Sequence, residues 1–206
     1  MSGVIKTLAS KPWLSGQDTV GAPADVEMFA LPEQKVGLRV FFGVATSLFL
    51  LFIVSYRMRM YYEDWVPLQE PLLMWFNTGV LLFASVFMQL AKGRAAAASW
   101  QVAQRWLILG GAGAMAFVAL QLLVWQQLAA SGHFVSSNPS SSFFYLITAV
   151  HGVHIVGGIL ALAYIMLLSG GAEDRERYRM GIDLCTVYWH YLLIVWLVLF
   201  YMLLTT

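Results

Sequence analysis

The chain has 206 residues, of which 60% are hydrophobic and only 11% charged, with a mean hydropathy of +0.71 and a formal net charge of +1. Soluble domains carry about a quarter charged residues, so this composition argues against a water-soluble domain, and near neutrality gives no reason to invoke a nucleic-acid partner. Cys185 is the only cysteine, which excludes disulfide frameworks, cysteine-rich zinc sites, iron–sulfur clusters and paired-cysteine haem attachment within the chain.

Residues 1–35 are polar, contain Pro12, Pro23 and Pro32, and lack an apolar run that would form the core of a signal peptide. They read as a soluble cytoplasmic tail, followed by a transmembrane domain over 36–206. A helix needs about 20 mostly apolar residues to cross a hydrocarbon layer about 30 Å thick, and five segments qualify. They run from about Val36 to Tyr56, Leu72 to Leu90, Trp106 to Leu128, Phe143 to Leu168 and Leu184 to Leu204. Short alternating segments of the membrane-barrel kind are absent. The expected fold is all-α: a polytopic bundle of five transmembrane helices, since helices satisfy every backbone group in lipid. The stretch with Gly132, His133, Asn138, Pro139 and Ser140 to Ser142 reads as an outer loop and the serine- or proline-capped start of the fourth span. Lys6, Lys11, Lys35, Arg39, Lys92, Arg94, Arg105, Arg175, Arg177 and Arg179 fall on the N-terminal side and only Arg57 and Arg59 opposite. That bias puts the N terminus inside and the C terminus outside.

Ionisable groups at membrane depth usually face protein or water and mark function. Here they are few. His151 and His154 share one face of the fourth span, His190 lies in the fifth, and Asp183 precedes it by about two turns on the same face. Asn77 and Thr78 add weaker polar groups to the second span. Two readings apply: a binding or proton-handling site, or inter-helix hydrogen bonds that fix packing. The packing reading is preferred, because an ion-coupled site would carry an acid near mid-span and Asp183 sits at the inner edge. Two histidines on one face with a third elsewhere lack an acid or cysteine to complete a metal set, and histidines three apart on one helix do not grip both faces of a haem. No catalytic, cofactor-binding or metal-ligating residue is therefore assigned. Cys185 reads as an inert buried thiol. The tryptophans, Trp189 among them, read as interface belts and packing. The small residues Gly110 to Ala114 and Gly157, Gly158 and Ala161 read as places where helix backbones approach closely.

Local words are more specific than composition. The stretch from Ser140 to Gly158, with Tyr145-Leu146-Ile147-Thr148-Ala149-Val150-His151-Gly152-Val153-His154 at its centre, closely resembles the paired-histidine motif in subunit III of the haem–copper terminal oxidases. Tyr188-Trp189-His190-Tyr191, followed by Val195-Trp196-Leu197, is similar to that family's last helix, and Trp75-Phe76-Asn77-Thr78 with Leu81, Leu82 and Ser85 to an earlier one. The resemblance covers about Val36 to Leu204, in order and with matching loop lengths.

The resemblance implies a non-catalytic subunit of a bacterial inner-membrane complex of the cytochrome c oxidase type, which reduces oxygen to water and conserves energy as a proton gradient. It implies haem and copper in partner subunits I and II and none in this chain. It also implies packing on subunit I, bound phospholipid and support of sustained turnover. His151, His154, Asp183, Trp189, His190 and Asn77 then become structural, lipid or subunit contacts. Two departures limit the transfer. Where much of the family carries a glutamate in the first of these spans, this chain reads Gly43-Val44-Ala45-Thr46-Ser47, so a proton-uptake role for that acid is not carried over. Where many relatives have an aspartate after the tryptophan–histidine word, this chain has Leu193. Larger members also have two further N-terminal helices, which residues 1–35 cannot supply; a small subunit would have to supply them. The alternatives are subunit III of a quinol oxidase, a helper subunit of a nitric oxide reductase, and, ranked below these, an independent transporter.

Overall fold

The computed structural model describes residues 33–68, 71–167 and 175–205, and the expected tail over 1–35 lies almost wholly outside them. Among the described residues there are five long helices and no strand: α1 (Glu33–Arg59), α2 (Leu73–Ala96), α3 (Trp100–Ala130), α4 (Pro139–Leu167) and α5 (Arg175–Leu204). Each is long and apolar enough to cross a membrane. The helices outrun the hydropathy-based spans at their polar ends. Thus α3 begins at Trp100 rather than Trp106, and α5 at Arg175 rather than Leu184. Hydropathy marks the part of a helix that lies in hydrocarbon, whereas intrahelical hydrogen bonds continue wherever the backbone is unbroken. The charged turns beyond the hydrocarbon are accordingly helical too.

Sequence also sets where the helices stop. After α3, Gly132 takes a φ of +87°. Its N–H donates to the Ala129 carbonyl (3.1 Å) and the His133 N–H to that of Leu128 (2.9 Å). This is the paired C-terminal closure that glycine favours. The end of α2 closes in the same way through Ala98, with Ala98 N–H to Ala95 (3.1 Å) and Ser99 N–H to Arg94 (2.9 Å), although alanine pays for a φ of 54°. At the start of α4 the capping group is Asn138, whose Oδ1 accepts the Ser140 N–H (3.1 Å), with Pro139 as first helical residue. The Ser140 hydroxyl expected there instead donates to the Val66 carbonyl (2.7 Å), tying together the loops after α1 and α3.

The bundle lies in the unit Leu38–Thr206, where α2, α3, α4 and α5 form a closed ring, each packed antiparallel on its neighbours. Lipid tails are as apolar as the side chains, so helices in a membrane associate through close packing and polar contacts. Small residues supply that proximity here. A Cβ on Gly113 would stand 3.0 Å from the Ala84 Cβ, one on Gly110 2.8 Å from Met88 Cε, and one on Gly158 2.8 Å from Tyr188 Cε1. The glycine patches therefore mark the α2–α3 and α4–α5 seams. By contrast, α1 meets the ring through large rings: Phe42 stacks on Tyr191 of α5 (4.2 Å between centroids), and Phe49 lies beside His154 of α4 (5.4 Å). Much of α1 is exposed, including Val40, Val44 and Leu51.

Candidate functional site

The ring encloses a polar layer surrounded by apolar side chains. Asn77 of α2 is fully buried, and its Nδ2 donates to Gln121 Oε1 of α3 at 2.9 Å. One residue on, Thr78 Oγ1 accepts the indole N–H of Trp196 of α5 (3.0 Å) while donating to the Met74 carbonyl (2.8 Å). On the opposite seam, Trp125 of α3 donates to Thr148 of α4 (3.0 Å), whose hydroxyl donates to the Phe144 carbonyl (2.7 Å). All four ring helices thus contribute a polar group to the layer. Buried polar groups in hydrocarbon require such partners.

His151 borders this layer on α4 and is wholly buried. Its ring stacks on Trp196 (5.2 Å, 28°) and is edge-on to Phe117 (6.0 Å) and Phe49 (6.1 Å). Neither ring nitrogen has a hydrogen-bond partner among the described residues. His154, one turn on, is half-buried; its Nδ1 lies 2.7 Å from the Val150 carbonyl of its own helix. A carbonyl only accepts, so Nδ1 carries the proton. The link to α5 comes from its backbone, where the His154 carbonyl accepts the Tyr188 hydroxyl (2.8 Å). His190 repeats the pattern, with Nδ1 donating to the Thr186 carbonyl at 2.7 Å. The packing reading expected inter-helix hydrogen bonds from these histidines. Instead, the rings of His154 and His190 bond within their own helices, and His151 contributes ring packing.

Asp183 does bridge helices. Its carboxylate pairs with Lys92 Nζ of α2 at 2.5 Å, and both side chains are partly exposed near the ends of their helices. Trp189 is buried, with its ring edge 3.2 Å from the position of a Cβ on Gly158, which explains the glycine opposite it. Asn77 joins the polar layer with Gln121, Thr78 and Trp196. His154 sits on the α1–α4 seam, and His190 faces a groove outside the ring, between α1, α2 and α5. The six expected residues therefore occupy several contact regions rather than one pocket. Among the described residues, no group of three His, Cys, Asp or Glu side chains converges as a metal site requires.

Sequence reading passed over Gln121 and Lys92. Gln121 is an amide in the middle of a span, and that isolation was its available signal. Lys92 was counted only for orientation, since nothing local couples it to Asp183.

Comparison with known proteins agrees with the motifs. Residues 40–205 match the model of the family described as cytochrome c oxidase subunit III. The chain is 28% identical over 172 residues to the cytochrome c oxidase subunit 3 of Synechocystis sp. (strain ATCC 27184 / PCC 6803 / Kazusa), covering 80% of this chain and 72% of that protein. It is 29% identical over 97 residues to a probable cytochrome c oxidase subunit 3 of Mycobacterium tuberculosis (strain ATCC 25618 / H37Rv), covering 47% of this chain and 48% of the relative. A third relative, the cytochrome c oxidase subunit 3 of Strongylocentrotus purpuratus, is 28% identical over 136 residues, covering 66% of this chain and 51% of that protein. The chain spans about half the length of the mycobacterial and sea-urchin relatives it matches. With the match extending through all five helices, the chain belongs to the cytochrome c oxidase subunit III family.

Proposed function

We propose that the chain is the non-catalytic subunit III of a haem–copper oxygen reductase in a bacterial inner membrane, supporting a neighbour that carries the haem and copper. The observation that carries this reading is the family match over residues 40–205, which includes both the paired-histidine helix and the tryptophan–histidine helix. The site chemistry is compatible with support. Asn77, Thr78, Thr148 and Asp183 use polar groups to join helices, and the helix that carries a glutamate in much of the family has only Thr46 and Ser47 at the matching stretch. Thr46 is hydrogen-bonded to Tyr191 (3.1 Å) and Ser47 to the Gly43 carbonyl (2.9 Å).

In this reading the chain packs on subunit I, contacts subunit II within the assembly, binds phospholipid and prolongs turnover. The exposed apolar side of α1 is where a small subunit would pack in this reading. The excess of basic residues on one side supports an N terminus in the cytoplasm. Purification in mild detergent should bring down subunits I and II, with oxygen uptake driven by cytochrome c and a copper pair in subunit II. Quinol oxidation without that copper would replace cytochrome c as donor, and nitric oxide consumption would replace the oxygen-reducing assignment altogether. His154→Ala or His190→Ala should weaken subunit retention or sustained turnover while the haem and copper spectra persist. Loss of a metal signal on either substitution would overturn the supporting role.

A further inference from the structure

Inside the ring, the hydrogen bond from Asn77 Nδ2 to Gln121 Oε1 at 2.9 Å uses only half of each amide. Asn77 Oδ1 and Gln121 Nε2 are both shut off from solvent and have no partner among the described residues. This does not depend on how the amides are oriented. Exchanging oxygen and nitrogen on both side chains reverses the bond and again leaves one acceptor and one donor. Such atoms are costly to leave unpaired in an apolar interior, and the nearest turns offer them nothing: Met74 and Leu81 on α2, and Phe117 and Val124 on α3, are buried and apolar. The threonine hydroxyls of the layer are already engaged, Thr78 with Trp196 and the Met74 carbonyl, Thr148 with Trp125 and the Phe144 carbonyl.

We propose that one buried water molecule bridges this amide pair, accepting from Gln121 Nε2 and donating to Asn77 Oδ1. Three observations select water. The free atoms are one donor and one acceptor on side chains already bonded to each other, so the occupant must both accept and donate across a short span. Both side chains are neutral, which gives neither a metal cation nor an anion an opposite charge. The pair lies within the ring, with Asn77 wholly buried and Gln121 nearly so, which excludes a large ligand. Ordered waters satisfy buried polar groups of this kind in folded proteins. The bridge gives α2 and α3 a second polar link at this level, and it does not depend on which enzyme the chain supports. His151 takes no part in it, since its ring is packed against Trp196, Phe117 and Phe49.

The test uses the full chain, purified with its native partners in mild detergent. An electron cryo-microscopy map sharp enough to resolve ordered waters should show density within hydrogen-bond distance of both Asn77 Oδ1 and Gln121 Nε2. Amides closed on each other by a second direct hydrogen bond, with no such density, would overturn the proposal. Radiolytic hydroxyl-radical labelling gives an independent reading, because a bound water irradiated in place oxidises its neighbours. Trp196 is the reporter: it is bonded to the residue after Asn77, and its ring is edge-on to Phe117, one turn from Gln121. Met88, as fully buried and about three turns along α2 from Asn77, is the control, with a readily oxidised sulfur. Trp196 should be labelled and Met88 should not. Asn77→Leu combined with Gln121→Leu should abolish the Trp196 label, since two apolar side chains of similar size leave the water no partner, whereas His151→Phe should preserve it. Equal labelling of Trp196 and Met88 in the unsubstituted chain, a Trp196 label that persists in the double variant, or its loss in His151→Phe would each overturn the assignment to the amide pair. The map and the Trp196–Met88 comparison are read on the unsubstituted chain, so they decide the matter even if a variant fails to fold.

Discussion

The imidazole of His151 lies stacked on the indole of Trp196, 5.2 Å between centroids, while that indole donates its N–H to Thr78. His151 therefore holds Trp196 from one side as the hydrogen bond holds it from another, and does so without a hydrogen bond to its own ring nitrogens among the described residues. Volume, rather than polarity, is what the position supplies. His151→Ala should destabilise the bundle by about 2–4 kcal/mol through the cavity left among Trp196, Phe117 and Phe49. His151→Phe should stay within about 1 kcal/mol of the original, because it keeps a ring and removes two unpaired polar atoms. Unfolding titrations in mixed detergent micelles measure both. Equal losses for the two variants would mean that the nitrogens have partners.

Ala98 occupies the position in the α2 closure where glycine is favoured, at a φ of 54°. Its side chain is exposed, so it contributes little packing to offset the strain. Ala98→Gly should stabilise the fold by about 0.5–1 kcal/mol, the relieved strain exceeding the extra freedom glycine adds to the unfolded chain. The same titration should show a later midpoint, and an earlier one would refute the strain argument.

These two sites show what the sequence makes legible. Spans, glycine seams and family words are local properties, and the structure has all of them: five helices, close approach at Gly113 and Gly158, and the paired-histidine motif on α4. The helices run past the hydropathy-based spans because hydropathy senses lipid rather than backbone, so the helical turns from Arg175 to Asp183 are not visible to it. The partners of Asn77, Asp183 and Trp196 were not legible. Each is far away in sequence, and many antiparallel registers would place some polar residue opposite another. His151 was assigned a hydrogen-bonding role because a buried imidazole usually has one. The aromatic residues around it become evident only when four helices are placed together.

Close approach of α2 and α3 depends on the missing side chain at Gly113, where a Cβ would meet Ala84 at 3.0 Å from its Cβ and 3.4 Å from its Cα. Backbone cannot yield as a flexible side-chain tip can, so Gly113→Leu should cost about 2–3 kcal/mol by forcing the helices apart. Gly152, with nothing within 4 Å of its Cβ position, is the matched control, and Gly152→Leu should be tolerated. Cysteine pairs placed across the seam would cross-link less readily in the first variant and normally in the second. Unchanged cross-linking in both would mean that the seam is not glycine-dependent.

In the loop after α1, the Arg59 guanidinium grips the Asp64 carboxylate through both oxygens, one at 2.7 Å, and lies over the Tyr62 ring. The hydrogen bond from Arg59 holds the Asp64 carboxyl below its ordinary range. A carboxyl lowered in the folded state contributes stability above its unfolded pKa, about 3.9, and loses it as pH falls through the lower folded value. Hydrogen exchange of the Tyr62 and Trp65 amides, corrected for intrinsic rates, should therefore show constant protection from pH 7 to about 5 and faster opening below about 4. Asp64→Asn should remove that acid transition. A transition unchanged in the variant would assign it to another group.

Lys92 and Asp183 join the last turns of α2 to the early turns of α5, at a depth where their side chains retain 42% and 32% of their exposure. With that much solvent the attraction is screened, and the coupling should be about 1 kcal/mol or less. The two partners are not equivalent when left alone. A lysine without its acid can extend its long stem toward water, whereas the short Asp183 side chain has no such reach. Lys92→Met should consequently cost more than Asp183→Asn, and the double variant should be less destabilised than the sum of the two. A double-mutant cycle read by unfolding in mixed micelles gives the coupling directly. Costs that add to within about 0.3 kcal/mol would show the pair to be solvated and mechanically idle, and the α2–α5 seam would then rest on the Trp196–Thr78 hydrogen bond, the bond from the Thr186 hydroxyl to the Met88 carbonyl, and the surrounding rings.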